Sequence, residues 1–191
     1  MAYEKKNIRA VIEEINSRKI YLPAIQRKYV WDDDQITRLM DSIMLGYPIG
    51  TFLFWKVRKS IINKKEYSMY EFIKDFHERD VYKNPSAPQP FPIGSDEETI
   101  WAVLDGQQRL TSLYIALQGS MSRKLPNKRW KNDDALPIRE LYLDLHSQRT
   151  DEEDISYEFK FLTQEEAKKQ KDDKLWYLVK DILKYSQDEL V

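Results

Sequence analysis

The chain has 191 residues, 33% of them charged and 41% hydrophobic, with a net charge of −1. That is a globular composition with a core of ordinary size, and it excludes a polycation built for nonspecific nucleic-acid binding. Cysteine is absent and only five glycines occur, which rules out disulfides, a thiol nucleophile, Cys-based metal sites and the glycine-rich GxxxxGK[ST] and GxGxxG phosphate loops.

Residues 7–18 place Ile8, Val11, Ile12 and Ile15 at helical spacing behind Asn7, a good N-cap. The next stretch, IYLPAIQRKYVW, holds Pro23 and reads as extended chain. A second helix is expected to start in the cluster Asp32, Asp33 and Asp34, with Ile36, Leu39, Met40 and Ile43 as its buried stripe. Gly46 and Pro48 should end it. Residues 50–57 (GTFLFWKV) read as a strand whose aromatics belong to the core. Residues 66–80 read as a third helix, with Met69, Phe72, Ile73 and Phe76 on one side and His77 on its surface. Four of the eight prolines (85, 88, 90 and 92) make residues 83–95 a surface loop.

A strand over residues 99–104 runs straight into Asp105-Gly-Gln-Gln-Arg109, and Leu110, Leu113, Tyr114 and Leu117 then follow at helical spacing up to Gly119. Residues 121–137 form a basic, proline-broken connection. Residues 139–145 and 156–161 alternate like strands around an acidic turn at 151–154, and residues 175–185 start extended and finish helical. His146 falls at a strand end, and neither histidine has a partner at metal spacing. The N-terminus lacks a signal peptide and no apolar run reaches 18 residues, so a soluble, cytoplasmic, microbial protein is expected. The closing SQDELV carries no terminal signal, which suggests a piece of a longer chain.

Two segments carry the chemistry. At the strand-to-helix junction, Gly106 permits a tight turn, and the first helical turn offers N–H groups and a positive dipole end to an anion. Gln107, Gln108 and Arg109 add amide donors and a guanidinium fork, Thr111 a hydroxyl, and Asp105 a carboxylate that could bind Mg²⁺, orient water or hold Arg109. The plainer alternative is an Asp that caps the helix and an Arg that pairs with it. The second segment puts Gln26 and Arg27 in an apolar, aromatic stretch. Two basic runs remain: Lys56, Arg58, Lys59, Lys64 and Lys65, then Arg123, Lys124, Lys128, Arg129 and Lys131 around Trp130. Either could follow a phosphate backbone or simply be a solvated face.

In order, LPAIQRKYVW, DSIMLGYPIGTFLFW, VLDGQQRLTSLYIAL and LYLDL resemble the DGQQR-motif family, the N-terminal domain of Gmr-type modification-dependent restriction systems and related phage-defence proteins. The resemblance covers residues 8–145 and, less clearly, the rest. It implies an α+β, ParB/sulfiredoxin-like core with a small mixed sheet and packed helices, a domain over residues 1–145 and an extension of it over 146–191. It implies NTP hydrolysis or nuclease control, with Asp105, Gln108 and Arg109 catalytic and Asp105 on Mg²⁺. Gln26, Arg27, Gly106, Gln107 and Thr111 would bind the nucleotide. DNA is the expected partner, through Lys124, Lys128 and Arg129, along with an HNH-type nuclease domain or subunit and self-association of the chain. No membrane partner is expected. A DNA-binding or modified-base-sensing module without catalysis is the alternative, and a purely structural hydrogen-bond hub at DGQQR is a third reading.

Overall fold

Asn7 caps the first helix, α1 (Ile8–Asn16), its side chain accepting from Ala10 N–H at 2.7 Å. Ile12 and Ile15, a turn apart, are the residues of α1 that become buried. The computed structural model describes residues 4–24, 28–63, 68–79, 99–147, 156–169 and 174–185. The expectations for the proline-rich loop, the acidic turn at 151–154, Gln26, Arg27, Lys64 and Lys65 lie outside the described residues. The chain divides into two compact units, one of Met1–Lys28, Thr51–Phe72 and Pro85–Gln107, the other of Tyr29–Gly50, Ile73–Asn84 and Gln108–Val191.

In the first unit, β1 (Ile20–Pro23), β2 (Leu53–Arg58), β3 (Met69–Tyr70) and β5 (Thr99–Asp105) form a mixed sheet in the order β2-β5-β1-β3. β5 runs antiparallel to β2 and parallel to β1, with Ile20 opposite Trp101 and Leu53 opposite Asp105. A short helix, α3 (Lys59–Asn63), follows β2. Tyr21, Val57, Ile62, Met69, Ile100 and Ala102 pack into one core with Trp55 at its margin. Each large apolar side chain so buried contributes about 1.5–3 kcal/mol. Lys56 lies over the Trp101 ring at 5.5 Å, so part of the first basic run is used within the sheet.

In the second unit, α2 (Asp33–Met44) begins with a reciprocal capping box: Asp32 accepts from Gln35 N–H at 2.8 Å and Gln35 accepts from Asp32 N–H at 3.1 Å. Ile36, Leu39 and Met40 are buried and Ile43 is half-buried. Gly46 follows the helix end at φ +73°, the left-handed position that favours glycine. Asp41 is also buried, and its Oδ1 accepts from Ser156 N–H at 3.1 Å and Tyr157 N–H at 2.7 Å, tying α2 to the start of β8 (Phe159–Leu162). β8, β7 (Glu140–Asp144) and β9 (Trp176–Leu178) form an antiparallel sheet with β7 in the middle. A two-stranded parallel sheet joins β4 (Asp75–His77) to β6 (Ser120–Ser122). The helix α4 (Gln107–Gln118) starts at the unit boundary, and residues 110–117 are all buried, as expected of a helix apolar around most of its girth. A fifth helix, α5 (Gln164–Lys168), carries its own capping box between Thr163 and Glu166. The last residues, extended in β9 and then 3₁₀-helical over Val179–Lys184, follow the expectation for 175–185.

The helix expected over residues 66–80 is overturned: its described part holds β3 and β4 instead. Met69, Phe72, Ile73 and Phe76 are spaced like a helix face, but aromatic and β-branched residues suit strands. Met69 and Phe76 find strand partners, since β3 pairs with β1 in one unit and β4 with β6 in the other, while Phe72 and Ile73 lie between these strands. His77 consequently sits on a strand. The mixed α+β class with small sheets stands.

Candidate functional site

β5 lies inside its sheet and delivers Asp105 to the strand's C-terminal end, where the residue is exposed. Gly106 at φ +86° turns the chain from strand to helix, a conformation that costs any other residue about 1–2 kcal/mol. Gln107 is buried, and its Nε2 donates to the Val103 carbonyl at 2.6 Å, so its amide closes the turn it belongs to.

From Gln108 onward the motif is part of the second unit. Gln108 Oε1 accepts from Val30 N–H at 3.0 Å. Arg109 Nη1 donates to the Ile49 carbonyl. The neighbouring Gly50 has φ +83°, and a Cβ there would overlap the Arg109 guanidinium. The Tyr47-Pro-Ile-Gly50 element after α2 is therefore shaped around Arg109, a role its sequence did not show. Thr111 is buried within α4, and Ser112 shares a 2.9 Å hydrogen bond with the Tyr29 hydroxyl.

Residues 29–31 are gripped three times in the second unit, through the Tyr29 hydroxyl, the Val30 N–H and the Trp31 carbonyl, to which Arg123 donates at 2.5 Å. The Tyr29 ring meets Phe76 edge-on at 5.5 Å, and Arg123 lies over that same Phe76 at 4.9 Å. Arg123 also pairs with Asp33 at 3.5 Å and Glu78 at 3.9 Å, while Arg139 pairs with Asp33 at 2.8 Å. Arg123 thus leaves the basic run and becomes part of the framework. Tyr29 lies within the motif LPAIQRKYVW, so the motif itself was the signal that could have found it.

Burial, the largest cause, pushes the Tyr29 phenol up to about 12, against a small lowering by the Ser112 hydrogen bond and the Arg123 charge. A phenol pKa higher in the folded state gives stability that is fully present below pH 10 and is lost as pH rises towards about 12, because the unfolded chain releases that proton first. Tyr29→Phe is expected to flatten this alkaline fall, on the order of 2 kcal/mol, in unfolding curves recorded between pH 9 and 12. An unchanged slope would contradict the placement.

The second basic run is divided in use. Lys124 is half-buried; its backbone N–H donates to Glu78 Oε2 at 2.7 Å and its Nζ to the Leu125 carbonyl at 3.3 Å. Lys128, Arg129 and Lys131 are exposed and make no ion pair among the described residues. A cavity of about 590 Å³ also opens in the second unit, lined by Phe76, His77, Arg79, Ser122, Glu140 and Lys180, and includes none of residues 105–109. Arg79 there pairs with Asp133 and Lys180 with Glu140, while Asp75, also in the lining, accepts from the Ser120 hydroxyl at 2.8 Å.

Among the described residues no helix is long and apolar enough to cross a membrane, and none of their acidic and histidine side chains gather in threes as a metal cage. Residues 8–190 match the family described as GmrSD restriction endonuclease, N-terminal domain. The chain is also similar to an uncharacterized protein of Methanocaldococcus jannaschii, 29% identical over 117 residues, or 61% of this chain. The matched stretch spans 18% of that relative's length.

Proposed function

This chain belongs to the GmrSD restriction endonuclease N-terminal domain family, and on that premise we propose that it binds and hydrolyses a nucleoside triphosphate and thereby governs DNA cleavage in a restriction and phage-defence system. Cleavage itself falls to an HNH-type nuclease domain or subunit. The observation that carries the reading is the held position of Arg109 on the first turn of α4, a helix whose N-terminus follows directly on a strand-end carboxylate and a left-handed glycine.

The roles follow from the chemistry. Arg109 takes phosphate oxygens with its planar fork and neutralises charge that grows as the terminal phosphoryl group leaves. The first N–H groups of α4 receive a second phosphate. Gln108 sets the position of residues 29–31 through Val30 and turns its amide to the attacking water. Gln107 and Thr111 shape the turn and the buried face behind these groups.

An exposed strand-end carboxylate suits Mg²⁺ that arrives with the nucleotide, because this ion keeps most of its waters and takes one or two carboxylates along with phosphate oxygens. Asp105 would hold it, and bound there it would neutralise phosphate charge. DNA meets the domain at the basic loop, through Lys128 and Arg129.

Thermal unfolding of the chain with each ribonucleoside triphosphate, with and without Mg²⁺, tests the reading. At a hundredfold excess over Kd, a ligand of the folded state adds about 2.7 kcal/mol, a rise of about 5–10 °C for a chain of this size. The rise should need Mg²⁺ and should shrink in Asp105→Ala. No rise with any triphosphate would refute nucleotide binding.

A further inference from the structure

The loop over residues 125–135 in the second unit is built more firmly than a solvated connection requires. Leu125 N–H donates to the Ala135 carbonyl at 2.7 Å, closing its base. Lys128 N–H donates to Leu125 at 3.4 Å and Asn132 N–H to Arg129 at 3.0 Å, and Asn127 turns the chain at φ +60°. Arg79 reaches in from beyond β4, donating to the Trp130 carbonyl at 3.3 Å and to Asp133 at 2.6 Å. Residues 126–134 are all exposed on this frame, and Trp130 is 45% exposed.

Nearly half of this indole lies open to water on a hydrogen-bonded loop. Its neighbours in sequence are Lys128, Arg129 and Lys131, three cations without an ion pair among the described residues, in a chain whose net charge is −1. Asp133, paired with Arg79, and Asp134 follow on the same loop, so the cationic stretch is residues 128–131 around Trp130. An aromatic face between cations fits one chemistry well: a base that has left its stack, lying on the ring while the flanking phosphates meet the cations. A fully stacked duplex offers phosphates to the cations but no base face to the indole.

We propose that Trp130 is a stacking platform for an unpaired DNA base, with Lys128, Arg129 and Lys131 on the adjoining phosphates, so that this loop prefers single-stranded or locally opened DNA. The proposal rests on the reading that the domain meets DNA at this loop. Stacking discriminates opened from closed DNA without reading its sequence, because every base has a π-face.

Fluorescence anisotropy of the full chain against one labelled oligonucleotide, single-stranded, as a duplex, and as a duplex with an unpaired bubble, decides the matter. The single strand and the bubble should bind more tightly than the duplex. Trp130→Ala should lose about tenfold on the single strand and little on the duplex, while Trp130→Phe keeps most of the affinity. Lys128→Glu with Arg129→Glu should weaken all three and lower the salt slope on the single strand by about 1.4, because two phosphates are no longer neutralised. If that charge reversal weakens binding but Trp130→Ala does not, the stacking role is overturned and the DNA-contacting loop stands. If neither variant changes binding, both fall. A Trp130→Ala loss equal on duplex and single strand also overturns stacking.

Discussion

On the proposed hydrolysis, Gly50→Ala is expected to lower NTP turnover about a hundredfold without touching the DGQQR motif. The added Cβ would overlap the Arg109 guanidinium, the far end of a flexible side chain that can swing away. The stability cost is therefore chiefly the strain of alanine at φ +83°, about 1–2 kcal/mol. The functional cost is larger, because Arg109 can no longer keep its hydrogen bond to the Ile49 carbonyl. A misplacement of about 1 Å at a reacting group can lower a rate on the order of a hundredfold. Arg109→Ala should do more, about a thousandfold, through loss of charge neutralisation at the transferring phosphoryl group. Arg109→Lys should rescue little, since an ammonium cannot reproduce the planar fork.

The same pair of variants separates chemistry from scaffolding. Gln107, Gln108 and Arg109 each hold a backbone group, of Val103, Val30 and Ile49 respectively, so a purely structural hub has support in the hydrogen bonds themselves. A hub predicts that Arg109→Ala unfolds the domain, since a half-buried carbonyl loses its partner. Phosphoryl transfer predicts a folded, ligand-stabilised but inactive chain. Unfolding curves and a phosphate-release assay on Gly50→Ala and Arg109→Ala, run side by side, tell the two apart; full turnover in folded Gly50→Ala would remove Arg109 from the chemistry.

The opposite balance is expected at Gly119. A Cβ there would run into the backbone carbonyl of Lys74, the acceptor for Ser120 N–H at 3.3 Å where β4 and β6 begin to pair. A backbone group at the very start of a paired strand cannot swing aside as a guanidinium can. Overpacking of this kind costs about 3 kcal/mol, which lowers the melting temperature by about 10 °C in a chain of this length. Gly119→Ala should keep normal turnover per folded molecule at low temperature. A melting temperature within a degree or two of the parent would show that β4 and β6 can part without cost.

These two glycines mark where sequence reading ends. Gly119 is legible as the stop of a helix, yet the reason for it is the nearness of Lys74, 45 residues earlier in the chain. Gly50 is legible as part of a family-like turn, yet its reason is Arg109, a residue that Ile49 binds across a separation of 60 positions. A glycine tells the reader that a side chain is unwelcome; only the fold says what stands in its place.

Local physics was readable throughout. Asn7 capping α1, the acidic start of α2, the Asp105-Gly106 turn out of β5 and the apolar run of α4 all depend on residues within a few positions of each other. The DGQQR and LPAIQRKYVW segments, and with them the family, were likewise determined by the sequence alone. Tertiary structure decided the rest. Met69–Tyr70 and Asp75–His77 became strands because β1 and β6 supply hydrogen-bond partners that no local window contains. Arg123 was drawn out of a basic run by Asp33, Glu78 and Phe76, while Lys128, Arg129 and Lys131 stayed in solvent beside Trp130. Spacing specifies which residues share a face, but the partner that face meets comes from distant chain, and with it whether an arginine serves the frame or a ligand.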